Sequence, residues 1–386
     1  MGVVGVMRRG IVTLGLCLTV ALSSGCGVSP PANGSSTDAA RDGGFSADAS
    51  PSDVFTAGLD AGGAADALGS SPDAGIVDPC ADWVERLALD QQMMANPGFG
   101  RRRLDRPIVL HHGMAGFREL GPLAYFNQAP SHLRALGYEV YLTQVLPIHG
   151  SAERADELEQ QVRCINHIAG SDGVHLIGHS QGGLDARLVA SRQGDKGLIK
   201  TLTTVATPHR GSAAADAFLD LPLAGRGPLT QALLLVYSGL AGRPDAEANL
   251  NQQMRELSME HMEGFNREVP DHPEVRYRSW AGRSVQNRFV RDVASEACAG
   301  AVHENPEGRD LLDPLFRLMA PLVGRQQGPN DGLVAVSSAK WGTFMGCVPA
   351  DHLDEVGMLR DPAPQRFSGF SYLELFETIA ADLTTP

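Results

Sequence analysis

The chain has no run of lysine or arginine that offsets its surplus of acid: 32 basic residues stand against 45 acidic ones over 386 residues, for a net charge of −13. Nucleic-acid binding needs a clustered cationic face, so that class of function is excluded. Simple electrostatic attraction to an anionic membrane goes with it. No cysteine/histidine spacing of a zinc site occurs either. No internal repeat and no sign of a second folded domain appear, and the longest apolar run near the N-terminus, Ile11 to Leu22, is too short to span a bilayer. Between Gly27 and Val77 large apolar side chains are almost missing, and Ala, Gly, Ser, Asp and Pro replace them. A segment of that kind cannot bury enough surface to offset the entropy of ordering it.

The two ends of this poor region have their own logic. Arg8 and Arg9 precede the Ile11–Leu22 run, and Ser23-Ser24-Gly25-Cys26 follows it, which reads as a signal peptide over residues 1–26. Small residues leading to a cysteine resemble the bacterial lipobox, which implies cleavage before Cys26 and acylation of its thiol. Ser23 stands where leucine is commoner, and a plain secretory signal with Cys26 incidental is the alternative. Residues 27–78 are then a linker with a root-mean-square reach of roughly 40 Å, and residues 79–386 are left for one domain. Export places the remaining Cys80, Cys164, Cys298 and Cys347 in an oxidising compartment. Four cysteines allow three pairings.

Within the domain, short apolar runs at about 107–112, 138–143, 174–178, 200–206 and 275–281 read as buried strands, separated by helical patterns. From Arg154 to Ile168, for example, Leu158, Val162, Ile165 and Ile168 share one helix face. Apolar strands alternating with helices predict an α/β fold, a mostly parallel sheet covered by helices on both faces, with its chemistry at the carboxyl ends of the strands.

One of those ends carries Gly178-His179-Ser180-Gln181-Gly182-Gly183, between the strand Val174–Ile177 and a helix-compatible stretch. Small residues at 178 and 182 let the chain turn sharply enough to push a seryl hydroxyl out beside a helix N-terminus. This is the nucleophile elbow of α/β-hydrolases. A free serine is a poor nucleophile, so a base, an orienting acid and oxyanion donors are required. The chain order Ser, Asp, His is met by Ser180, Asp331 on a Pro/Asn/Gly loop, and His352; Asp351 and Glu355 compete as partners of the histidine. Upstream, Pro107–Leu110 runs into His111-His112-Gly113-Met114-Ala115-Gly116, a turn able to aim a backbone N–H. The N–H groups of Met114 and Gln181 are the expected oxyanion donors. His175, inside an apolar strand, reads as a satisfied core residue; His111, His149, His209, His261, His272 and His303 read as surface or supporting groups.

The segments Pro107–Phe117, Ile177–Gly183, Val205–Ser212 and Asp331–Val356 together resemble the bacterial true lipases of the Pseudomonas and Burkholderia type, over roughly residues 105–380. The resemblance implies the α/β-hydrolase fold and hydrolysis of triacylglycerol at a lipid–water interface. It implies Ser180, Asp331 and His352 as triad, with Met114 and Gln181 at the oxyanion. It also implies a structural calcium ion held by Asp313, Asp354 and the carbonyls of Met358 and Pro362, and a lipase-specific foldase as partner. Arg154 matches an arginine that braces the oxyanion loop, a solvated helix arginine being the other reading. The related lipases carry a disulfide near the histidine loop, with a different second position. That implies Cys298–Cys347 here and leaves Cys80 with Cys164. Finally, the apolar stretch Leu229–Leu240, inside an insertion of about 212–272, corresponds to the helical lid, with a supporting helix near 249–266; a buried core helix would look the same.

Overall fold

The computed structural model describes Cys80, Trp83 and residues 104–120, 123–222, 246–284, 313–358 and 370–384, all within one compact unit spanning residues 71–386. The expected signal peptide, Cys26, the linker, the Leu229–Leu240 stretch, Cys298, Pro362 and the side chain of Asp313 lie outside what is described.

Chain order gives β1 (Ile108–His111), a small antiparallel pair β2 (Glu119–Leu120) and β3 (Leu123–Ala124), then α1 (Ala129–Ala135) and β4 (Val140–Leu142). The long helix α2 (Ser151–Ala169) leads to β5 (Val174–His179), α3 (Gln181–Arg192) and β6 (Ile199–Val205). Next come α4 (Ala213–Asp220), α5 (Ala246–Glu256), α6 (Met259–Glu268) and β7 (Arg276–Gly282). The described chain ends with α7 (Asp313–Gln327), α8 (Val336–Ala339), β8 (Thr343–Val348) and α9 (Tyr372–Asp382).

Among the described residues six strands form one parallel sheet in the order β4-β1-β5-β6-β7-β8. Why these runs are so uniformly apolar is visible in β1. Ile108 and Leu110 pack on one side with Leu133 of α1 and Phe376 of α9, while Val109 packs on the other with Val162 of α2 and Val189 of α3. A parallel strand covered on both faces has no solvent side to alternate with, so all four residues of β1 are buried. The five strands read from sequence agree with the sheet. The sixth, β8, went unread because it is an edge strand, Thr-Phe-Met-Gly-Cys-Val, exposed or half-buried over its first four residues and short of a continuous β-branched run.

The expected single helix over 249–266 is two helices. Ser258 breaks it: its hydroxyl donates back to the Arg255 carbonyl at 2.6 Å and accepts from His261 N–H at 3.2 Å, ending α5 and capping α6. Cys80 and Cys164 form a disulfide that ties the N-terminal approach to α2. Cys347 is also disulfide-bonded, and its expected partner Cys298 lies outside the described residues.

The strand order reverses beside β1: the chain steps to β4 on one side and returns to β5 on the other. Loops leaving the carboxyl ends of β1 and β5 therefore diverge and leave a crevice between them. Met114 follows β1, and Ser180 follows β5.

Candidate active site

Ser180 sits between β5 and α3 with φ +55° and ψ −132°, a conformation that a side chain with a Cβ rarely adopts. The sharp turn requires bare neighbours. A Cβ on Gly178 would lie 2.8 Å from Gly183 Cα, and one on Gly182 would lie 2.6 Å from the His112 carbonyl oxygen. The cost of the strained serine is met by the sheet: its N–H donates to the Val205 carbonyl on the next strand at 2.9 Å.

Ser180 Oγ lies 2.9 Å from His352 Nε2, and His352 Nδ1 lies 2.8 Å from Asp331 Oδ2. Since a carboxylate can only accept, His352 carries its proton on Nδ1 and turns the lone pair of Nε2 toward the serine. Asp331 is held in turn by Leu333 and Val334, whose N–H groups donate to Oδ1 at 2.8 and 2.7 Å. A further bond, from His352 N–H to the Asp331 carbonyl at 3.1 Å, fastens the two loops together. Neither competitor is hydrogen-bonded to the His352 ring among the described residues. Asp351 Oδ1 accepts from the N–H groups of Leu353 and Asp354, and Glu355 points toward His179, with Oε2 3.7 Å from His179 Nε2. Burial, together with the carboxylates of Asp331, Asp351 and Asp354, pushes the Glu355 carboxyl well above the usual range.

The loop carrying Met114 is braced from beneath. Arg154, fully buried on α2, donates through Nη2 to the carbonyls of His112 (2.8 Å) and Gly113 (3.2 Å) and through Nη1 to Leu146 (2.7 Å). Its Nε donates to Asp185 of α3 at 2.8 Å, and Asp185 also accepts from His111 Nε2 at 3.0 Å. Of the two readings of Arg154, the brace is the one the structure has. On another side, Gly113 N–H donates to the Tyr125 hydroxyl at 3.0 Å, and that hydroxyl in turn donates a hydrogen bond to His179 Nδ1 at 2.7 Å. Burial keeps His179 neutral, its pKa far below the usual imidazole value, so the network adds no charge beside His352. Among the described residues the N–H groups of Met114 and Gln181 have no acceptor, and Gln181 opens α3, where no preceding turn supplies one. His175 and His209 support rather than react: His175 Nδ1 pairs with Thr201 Oγ1 at 2.8 Å, and His209, fully buried, stacks on Trp341.

His179, His352 and Glu355 bring donor atoms within 4.8 Å of one another. His352 has both nitrogens engaged, so this is the surrounding of the base and not a separate metal centre. Asp354 and Met358 lie buried on the turn that follows His352.

A nucleophile, base and acid in hydrogen-bonded sequence, beside two free N–H groups, can cleave an acyl bond through a covalent intermediate. The relatives agree with this geometry. A triacylglycerol lipase of Vibrio cholerae is 31% identical over 296 residues, covering 70% of this chain and 84% of that protein. The chain belongs to the bacterial triacylglycerol lipase family. A second member, from Pseudomonas fragi, is 29% identical over 274 residues, 68% of this chain and 91% of its own. The family model for palmitoyl protein thioesterase matches residues 107–263, the part that holds Met114, Ser180 and Gln181. Among solved structures, the mature Bacillus licheniformis lipase BlEst2 superposes with a TM-score of 0.52 at 19% identity, over 75% of this chain and 100% of that one. The Staphylococcus hyicus lipase does so with a TM-score of 0.50 at 19% identity, over 74% and 96%. These two share the α/β-hydrolase fold with this lipase-family chain. Sequence reasoning missed Tyr125, Asp185 and Gln253 as parts of the site, because a lone tyrosine, aspartate or glutamine carries no pattern; only the contacts reveal them.

Proposed function

We propose that this chain is an exported serine lipase that hydrolyses lipid esters through an acyl-enzyme. The observation that carries the reading is the continuous Ser180–His352–Asp331 hydrogen-bonded chain at the elbow. Ser180 Oγ attacks the ester carbonyl as His352 Nε2 takes its proton, and the Met114 and Gln181 N–H groups stabilise the oxyanion. His352 then returns the proton to the departing alcohol, and water repeats the sequence to release the fatty acid. Asp331 holds the imidazole in the required tautomer throughout. Labelling by a fluorophosphonate, with and without detergent, tests this: modification confined to Ser180 supports it, and an unlabelled protein sinks it. Emulsified long-chain triglyceride compared with a short water-soluble ester separates a lipase from a short-chain esterase. A palmitoyl thioester belongs in the same assay, since the thioesterase family model matches the nucleophile region.

Calcium is part of the proposal. Asp354 offers a buried carboxylate on the turn that carries His352, and the Asp313, Asp354, Met358 and Pro362 set supplies only oxygen, as a hard cation requires. When bound, the ion would supply structural charge neutralisation beside three further buried carboxyl groups, Asp331, Asp351 and Glu355. A ligand that binds only the native state stabilises it by mass action. Chelation is therefore expected to lower the melting temperature of the wild type and to leave Asp354→Ala, already low, unmoved. Calorimetry in which both proteins ignore chelator would reduce Asp354 to an ordinary loop acid.

Anchoring through acylated Cys26, over the 27–78 linker, and the help of a foldase complete the picture. Among the described residues no helix is long and apolar enough to cross a membrane. Cys26→Ser is expected to move the protein from the membrane fraction to the soluble one, because each buried acyl methylene contributes about 0.8 kcal/mol. Specific activity on a soluble ester should be unaltered. Wild-type protein recovered free, with an unmodified N-terminus beyond Cys26, would make it an ordinary secreted enzyme. The Leu229–Leu240 stretch is proposed as a lid, and the same fractionation with Leu233–Val236 made polar separates its lipid contact from that of the acyl chains.

A further inference from the structure

Next to the nucleophile in sequence, the Gln181 side chain closes a ring with two other polar groups. Gln253 of α5 is fully buried, and its Nε2 donates to Gln181 Oε1 at 2.6 Å and to the His149 carbonyl at 3.1 Å. Gln181 Nε2 donates to the same His149 carbonyl at 3.1 Å and to Ser151 Oγ at 3.3 Å. The amide orientations follow from chemistry: the His149 carbonyl can only accept, so both glutamines must turn their nitrogens to it, which leaves Gln181 Oε1 to receive the second proton of Gln253. Every amide proton in the ring is used. The Gln181 side chain is thereby locked, and with it the residue whose backbone N–H opens α3.

The same helix reaches the other oxyanion donor. Glu256, one turn on from Gln253, accepts the Ser151 N–H at 2.9 Å and caps α2 where Gly150 has no side chain to do so. The first turn of α2 carries Arg154, which holds the His112 and Gly113 carbonyls next to Met114. Two hydrogen-bonded routes from α5 thus end at the two N–H groups that must sit together, one direct and one through α2.

We infer that Gln253 is a positioning residue for the oxyanion hole, acting through the side chain of Gln181 to fix the direction of its N–H. The inference rests on the esterase reading of the site. It predicts a defect confined to the transition state, since the substrate carbonyl acquires its negative charge only there.

The experiment compares Gln253→Met, Gln181→Met and the double variant in the full-length protein, using a short soluble ester and a fluorophosphonate. Each single variant is expected to lose about tenfold in kcat, less than the loss on removing a donor outright. KM should change little, and the rate of fluorophosphonate labelling should fall by the same factor. The double variant should be no worse than either single one, because both act through one contact. Equal labelling of Gln253→Met and wild type, additive losses in the double variant, or a change in KM with kcat unaltered would overturn the inference. Wild type that fails to label at Ser180 would instead overturn the functional reading on which it rests. If Gln253→Met fails to fold, Gln181→Met carries the same prediction from the other side of the contact.

Discussion

Ser180→Ala is expected to abolish ester hydrolysis, lowering turnover by several orders of magnitude, while the protein remains folded. Among the described residues the hydroxyl makes one side-chain hydrogen bond, to His352, and Ser180 belongs to neither apolar cluster that flanks the sheet. Alanine keeps the Cβ, so the positive φ at the elbow and the bond from residue 180 N–H to Val205 are retained. The hydrogen bonds that His352 donates to the Asp331 carboxylate and carbonyl do not pass through the serine either. Thermal unfolding should therefore shift little, and the residual rate should be that of an empty oxyanion hole acting with water. Turnover within tenfold of wild type would place the nucleophile elsewhere. A collapsed melting temperature would mean that the elbow depends on the hydroxyl, which the geometry does not suggest.

How much of this could be read from residues alone depends on how local each constraint is. The elbow was legible because its glycines lie within six residues and their demand is steric: a Cβ at 178 would meet the elbow's own backbone, and one at 182 the His112 carbonyl of the neighbouring loop, each at under 3 Å. The strands were legible because a sheet covered on both faces needs unbroken apolar runs, and β8 was not because an edge strand is free of that need. The partner of His352 could not be decided by type. Asp331, Asp351 and Glu355 are all buried carboxyl groups on the same loops, and they differ only in where their oxygens turn: Asp351 toward its own turn, Glu355 toward His179, Asp331 toward Nδ1. Arg154 was readable in two ways for a similar reason. Its helix face was known, but the carbonyls it serves belong to a loop more than 40 positions upstream. Tyr125 and Gln253 had no signature at all, since a hydrogen bond between distant, ordinary residues leaves no periodicity or spacing to find.

Arg154→Met is expected to produce the largest loss of stability of any single change in the supporting network. The guanidinium and the Asp185 carboxylate are both fully buried, and removing one of such a pair leaves an uncompensated charge, at about 3–5 kcal/mol. For a domain of this size that corresponds to a melting temperature lower by about 10 °C. Turnover should fall too, because the His112 and Gly113 carbonyls lose the donor that holds the Met114 loop. The two effects separate in the double variant Arg154→Met, Asp185→Asn. Neutralising the aspartate removes the stranded charge and should restore a good part of the stability. It does nothing for the unbraced loop, so kcat should stay low. Recovery of melting temperature without recovery of kcat is the expected pattern, read by calorimetry and by a soluble-ester assay on the same preparations. If both recover together, Arg154 serves only to balance Asp185, and the oxyanion loop is held by Tyr125 and its own backbone bonds instead.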